Sequence, residues 1–483
     1  MDLFSEESLI NEIGNLDMCD QQTRLCASSF SNFLKHNKVQ HFISTYSELV
    51  KMPTIRYVYF YYLFRKIGGF IGNDKISNYF SENVYCDFES NSIPKLADVY
   101  KACEKMNLTQ QSKICLLIEE VTRGQYLNSI WDALRDGTIS SSKFYWATKK
   151  QNSTKKIFEP WPIKNDYYVA GPLAFGLRCE EVVKTVLNEL VCTSKQVGCF
   201  DCGFMQSPLD GIFGVSLDYC TNVETNKDNL LVFHPDTEVY EIKSRFKYLF
   251  AKTDCDMLYK KYKDLYTNPC LKTLIKFIFS VSRPAIEFVP PGKLPSETDY
   301  LLAYDEEWNL RPTKKRKLTA DHDMIKKCME YNSYSCSWVY ILSDPAENNG
   351  IISIKSKFKA GIFMNPRHTY FYQVALQHRV VQSYIGLSES PRSLGTQKNF
   401  IVSSFFRKRH FSDPQLCYIG KTQLEKTVEI PVFIIVTPVY IPRSALLESI
   451  SKAVNFWEES AKETFTEYPW APCSLFANGD LTP

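Results

Sequence analysis

The chain has 483 residues with 44% hydrophobic and 23% charged side chains, a globular balance with ample core material and, by length, roughly three domains' worth of chain. A net charge of +3 announces no global polyanion field, and no apolar run of about eighteen residues suggests a membrane span. The first residues, MDLFSEESLI, are acidic and lack the basic and apolar regions of a secretory signal. Sixteen cysteines follow no regular spacing. The single C-x-x-C, Cys199 to Cys202, has no second pair to complete a zinc site, so reduced thiols are the favoured reading.

Residues 1 to about 135 read as mainly helical, with dense aromatics over Ser28 to Phe33 and Tyr57 to Phe70. A helix ends near Gly137, and Ser140-Ser141-Ser142-Lys143 follows as a helix cap or a phosphate contact. Residues 178 to 191, RCEEVVKTVLNELV, form an amphipathic helix. At 100° per residue Glu180 shares the face of Val183, Leu187 and Val191, while Glu181 falls on the polar side. A carboxylate on an apolar stripe requires a partner, and a metal is one; a hydrogen-bonded glutamate at the edge of the stripe is the other reading.

Strands are expected over about 211–218 and 238–250, joined by a loop rich in Asn, Thr and Asp. Residues two apart on a strand share a face, so Glu241 and Lys243 project together and Ile242 turns back into the core. If the two strands pair, Asp218 reaches the same spot. Two acids can hold a hard divalent cation, and the lysine can orient or activate a water beside it, the set required to hydrolyse a phosphodiester. Alternating charge on a surface strand is the competing reading of so short a motif.

Beyond lie a helical stretch over 255–281, an irregular Pro-rich stretch over 283–320, and strands over 337–342 and 351–359. A helix over 370–382 carries Tyr370, Gln373, Val374 and Gln377 on one face, two glutamines more than packing alone explains. A buried strand over 430–437 and a helix over 442–463 complete the pattern, which favours one large α/β unit. Positive charge is local: Lys314 to Lys317, Arg407 to His410, and the lysines alternating through Ile354 to Lys359. Each is a nucleic-acid patch, a localisation signal or a solvated face.

Helix glutamate, strand aspartate, E-x-K, then a Tyr-x-x-Gln helix is the motif order of PD-(D/E)XK exonucleases of the phage-lambda type. GPLAFGLRCEEVVK, GFMQSP, GIFGVSLD, VYEIK, RFKY and YFYQVALQ bring the chain closer still, so that it resembles the herpesvirus alkaline nucleases, and within them the gammaherpesvirus branch, from DLFSEE to the final helix. The resemblance implies a restriction-endonuclease-like mixed central sheet flanked by helices. A helical layer (1–135) would pack on a nuclease core (136–483).

It implies Asp218 and Glu241 as the principal metal ligands, Glu180 as the remaining acid reaching the metal directly or through water, Lys243 as the group that positions or activates the attacking water, and Gln125 as a position needed for nuclease function. Arg135, Ser140, Ser142 and Ser216 would contact phosphates, with Gln373 and Gln377 beside the active site; Pro172 and Val374 match positions associated with shutoff. It implies Mg²⁺, with Mn²⁺ able to substitute, 5′-to-3′ digestion of double-stranded DNA with some endonuclease activity during viral DNA processing, and cleavage of host messenger RNA. A viral single-stranded-DNA-binding protein is a further expected partner, no membrane is, and the expected setting is host nucleus and cytoplasm. The alternatives are a shutoff factor acting by binding and recruitment, and a structure-specific resolvase on the same fold.

Overall fold

The computed structural model describes residues 29–46, 50–67, 74–85, 95–149, 157–158, 171–193, 199–200, 202–289, 294–303, 320–385 and 396–465. Its centre is a mixed sheet of seven strands: β1 (Cys199–Phe200), β2 (Tyr219–Thr225), β3 (Leu231–Ser244), β4 (Ser337–Leu342), β5 (Ile354–Ala360), β6 (Lys398–Arg407) and β7 (Ile430–Pro438). Their spatial order is β5-β4-β7-β6-β3-β2-β1, with β3 and β6 parallel and the other neighbours antiparallel.

The helices that frame the functional region are α1 (Met52–Ile67), α2 (Leu108–Val121), α3 (Ser129–Leu134), α4 (Ser141–Lys149), α5 (Pro172–Val186), α6 (Thr369–Ile385) and α7 (Arg443–Thr464). Along β3 and β6, successive side chains enter different cores, as strand alternation requires. Tyr240, Ile242, Val402 and Phe406 pack with Phe175, Val182 and Val183 of α5. Val239, Ile401 and Phe405 join the larger cluster, which includes Val374 of α6 and runs from Phe30 to Phe465.

The helical N-terminal layer is anchored by a buried cation. Arg56 of α1 is fully buried and donates to the carbonyls of Leu134 at 2.9 Å and Asp136 at 3.0 Å. The Asp136 carboxylate accepts from the Ser31 amide and hydroxyl at 2.7 and 2.8 Å. From the far end of the chain, Trp457 donates its indole N–H to the Gly137 carbonyl at 2.9 Å. The segment leading to Ser140 is thus gripped from both sides.

Several elements differ from the sequence expectation. Of the strand expected over 211–218 only Phe213–Val215 forms, in a small sheet with Ile139–Ser140 and Met205–Gln206, and β2 begins just after it at Tyr219. The expected loop after Asp218 is mostly a hairpin, β2 and β3. Its polar residues reflect an exposed tip and not an absence of strand, with a register shift between Thr221 and Val223 where Asn222 takes φ 57°. The stretch 255–281 divides into helices Met257–Thr267 and Leu271–Ile278, separated at Asn268-Pro269, where proline cannot continue the helix. Strand β6 and helix Ala320–Ser333 were not anticipated.

Two basic clusters are reassigned. Arg407 is 1% exposed and forked onto Asp413 at 2.7 Å twice, with Asp344 at 3.2 Å, a buried ion-pair network instead of a nucleic-acid patch. Arg409 donates to the carbonyls of Val428 and Glu425. The lysines of β5 stand exposed on a sheet edge, two of them beside the Trp338 ring, where charge discourages edge pairing. Lys314 to Lys317 lie outside the described residues. No described helix is long and apolar enough to cross a membrane.

Candidate active site

The site is built on the β2–β3 hairpin. Tyr219 pairs with Tyr240, and one step further along this antiparallel register Asp218 stands opposite Glu241. Directly opposed residues project to the same side, which brings the two carboxylates together. Asp218 also fixes the backbone it faces, accepting the Ile242 amide at 2.8 Å. Glu241 is 1% exposed and its carboxylate is ringed by donors. Lys243 and Gln373 (2.5 Å) donate to Oε1, and Gln377 donates to Oε2 at 2.6 Å. Gln373 and Gln377 lie four apart on α6 and so face the same way.

Burial and then the Glu241 and Glu180 charges push the Asp218 carboxyl well above the usual carboxylate range, against the pull of Lys243 and the Ile242 amide. Burial also raises Glu180, opposed by Lys184 and reinforced by Glu241. Burial acts to neutralise Lys243, but Glu241 and Asp218 outweigh it and hold the amine as an ammonium. Burial followed by the Arg245 and Lys243 charges drives His368 down to about 3, so it stands beside the site as a neutral ring.

Glu180 lies on α5 with its partner Lys184 one turn later. That lysine is 1% exposed and bridges Glu180 at 3.0 Å and Glu181 at 2.9 Å, the latter 65% exposed on the polar side as expected. Lys184 was not singled out from sequence, although its place four residues after Glu180 was the available signal. With Glu180 turned to Lys184 and Glu241 engaged by three donors, no three acid, His or Cys side chains form a ready metal cage among the described residues. The chemistry of the three acids nonetheless fits a hard divalent cation. Burial, and after it their mutual repulsion, raises Asp218 and Glu180, and a cation held by the acids would relieve the repulsion.

Gln125 does not touch the acids. Held at φ 46° after Gly124, it donates its amide to the carbonyls of Cys202 and Leu217, each at 3.1 Å, and so positions the residue just before Asp218. Ser216 accepts the Trp131 indole N–H at 2.7 Å, and the Arg135 guanidinium stacks 4.1 Å over that ring. Trp131 therefore links two expected phosphate contacts, a role that sequence did not reveal. Ser140 pairs in parallel with Gly214, and its hydroxyl is 3.2 Å from that of Ser142 at the start of α4. Gly214 has no room for a side chain, since a Cβ there would lie 2.3 Å from Phe204 Cζ. Pro172 is the exposed first residue of α5, and Val374 is fully buried behind Gln373. Cys202, the described thiol of the C-x-x-C, lies 3.8 Å from Cys220 Sγ.

A mixed sheet carrying Asp and Glu-x-Lys at one hairpin, backed by a glutamine-bearing helix, defines a PD-(D/E)XK nuclease. The comparisons agree. The family described as viral alkaline exonuclease matches residues 20–475, and the chain belongs to it. The shutoff alkaline exonuclease of Saimiriine herpesvirus 2 (strain 11) is 87% identical over 483 residues, covering 100% of both chains. The crystal structure of the shutoff and exonuclease protein from Kaposi's sarcoma-associated herpesvirus superposes with TM-score 0.87 at 48% identity, covering 99% of this chain and 100% of that one. Two further neighbours are a KSHV SOX RNA complex (TM-score 0.82, 46% identity, 99% and 100% coverage) and a SOX–DNA complex (0.81, 48%, 99% and 99%). The chain is a nuclease with the expected mixed α/β fold and helical N-terminal region.

Proposed function

We propose that this nuclease digests linear double-stranded DNA from a 5′ end, with some endonuclease activity, and cleaves messenger RNA at the same centre, so that one site serves viral DNA processing and host shutoff. The observation that carries this is the cluster of Asp218, Glu241 and Lys243 on one hairpin, with Gln373 and Gln377 closing it from α6. The names of the relatives, shutoff alkaline exonuclease, and the RNA and DNA complexes of the structural neighbours support both substrates. Messenger RNA and viral DNA as joint substrates would require the protein in host cytoplasm and nucleus.

Asp218, Glu241 and Glu180 are the groups that would hold the divalent ion, Mg²⁺ or Mn²⁺. The ion supplies charge neutralisation at the phosphoryl oxygens. Lys243, kept protonated by its acidic neighbours, adds a second positive group toward the phosphate. Gln373 and Gln377 fix the orientation of Glu241, and Gln125 fixes the Leu217–Asp218 backbone. Arg135, Ser216 through Trp131, and the Ser140–Ser142 pair at the start of α4 offer a positive charge and hydroxyls to the end of the bound strand. Pro172, exposed on α5, would contribute to shutoff by contact with RNA, and Val374 by the packing behind Gln373.

The test is a linear duplex labelled at one 5′ end, a closed circle and a capped RNA, each incubated with Mg²⁺, with Mn²⁺ or with chelator. Mononucleotide release from the 5′ label and internal cuts in the RNA, both abolished by chelator, are expected. Cleavage that persists in chelator, or release beginning at 3′ ends, would contradict the reading.

A further inference from the structure

The alternation that sets Glu241 and Lys243 on one face extends one position beyond the strand, to Arg245. Its amide donates to the Ser404 carbonyl at 3.0 Å, continuing the β3–β6 pairing past Ser244. By strand rise Arg245 lies about 7 Å beyond Lys243 on the same side. Its guanidinium lies over the Tyr300 ring, 3.5 Å from the centroid, and Nε donates to the Tyr300 hydroxyl at 3.0 Å. The Tyr370 ring stands between the two cations, 4.8 Å from the Lys243 ammonium and 5.6 Å from the Arg245 guanidinium.

Despite this support, Arg245 Nη2 is buried with no hydrogen-bond partner among the described residues. None of the described ion pairs joins Arg245 to a carboxylate. A buried orphan donor on an ordered guanidinium beside a catalytic centre calls for an acceptor. The buried arginines Arg56 and Arg407, by contrast, are satisfied within the fold.

We propose that Arg245 binds a backbone phosphate of the substrate strand adjacent to the phosphate being hydrolysed. The planar fork suits two phosphate oxygens, and the Tyr300 face already holds it in one plane, so little side-chain freedom is lost on binding. Lys243 attends to the scissile phosphate, and Arg245 fixes the register of the strand next to it. This assignment rests on the reading of Asp218, Glu241 and Lys243 as the catalytic centre.

The experiment places single neutral methylphosphonates at successive positions from the 5′ end of a duplex and compares the wild type with Arg245→Gln and Arg245→Lys. In the wild type, one position next to the cleaved bond should lose about tenfold in affinity, the scale of a charge-assisted hydrogen bond. Arg245→Gln should bind the unmodified duplex with a salt slope shallower by about one and show no further loss at that position. Arg245→Lys should retain the slope and part of the positional penalty. It decides the matter where the glutamine variant gives no cooperative melt. Penalty profiles that match the wild type at every position in the folded variants would overturn the proposal. Affinities are read by fluorescence anisotropy without divalent ion, so a failure of the catalytic reading, tested separately by Asp218→Asn turnover, leaves the Arg245 result interpretable.

Discussion

Gln377 donates its amide to Glu241 Oε2 at 2.6 Å and to the Ser216 carbonyl at 3.3 Å, while its own Oε1 has no partner among the described residues, so this side chain serves the carboxylate with one end only. Gln377→Leu would leave a 1%-exposed carboxylate short of a donor, a loss of about 1.5–3 kcal/mol for a charge-assisted bond. Urea denaturation should report that loss in the wild-type background and a much smaller one in the Glu241→Gln background. Equal losses in both would show that Gln377 acts by packing or through the Ser216 carbonyl and not through Glu241.

Gln125 acts through backbone. Gln125→Leu removes both bonds to the Cys202 and Leu217 carbonyls. A displacement of Asp218 by about 1 Å costs on the order of 100-fold in turnover. The expected signature is a fall in kcat with KM nearly constant. A KM effect alone would place Gln125 in substrate contact instead.

Arg407 separates a structural charge from a nucleic-acid contact. Arg407→Met leaves the buried Asp413 without its forked cation, while Asp344 keeps Lys252 at 2.9 Å, and should destabilise by about 3–5 kcal/mol. The salt dependence of DNA binding should not change, because a 1%-exposed guanidinium releases no counterions. A shallower salt slope in the variant would return Arg407 to the binding surface.

His378 sets an acid limit on stability. Burial first, then the Arg379 charge, lowers it to about 4, and its Nδ1 lies 3.0 Å from Asn399 Nδ2. The unfolded chain takes up this proton near pH 6.5 and the folded chain only near 4, so the stabilisation is complete above about 6.5 and is lost as pH falls toward 4. Between pH 8 and pH 5 the wild type should lose about 2 kcal/mol that a His378→Gln variant keeps. Parallel pH profiles for the two proteins, from urea melts, would contradict this.

Legibility from sequence followed the range of the interaction. Glu241 and Lys243 were readable as a pair because alternation along one strand needs no partner, and Gln373 with Gln377 because four residues make nearly one helical turn. Asp218 opposite Glu241 depended on the Tyr219–Tyr240 register, which sequence could pose but not decide. The pairing of Ser140 with Gly214, and the use of Trp131 to join Ser216 to Arg135, arise between segments some 75 to 85 residues apart. Strand β6 escaped notice although it lies directly beside β3. The loop-like composition of the β2–β3 tip concealed a hairpin because solvent exposure and absence of strand leave similar residues behind.

The most direct measurement is turnover by Asp218→Asn on both substrates, a 5′-labelled duplex and an RNA, in Mg²⁺ buffer. Unchanged secondary structure and a cooperative melt would establish that the variant is folded. A single centre predicts that DNA digestion and RNA cleavage fall together, by about 1,000-fold or more, when a charge facing the phosphate site is removed. Wild-type turnover on either substrate by the folded variant would contradict the account.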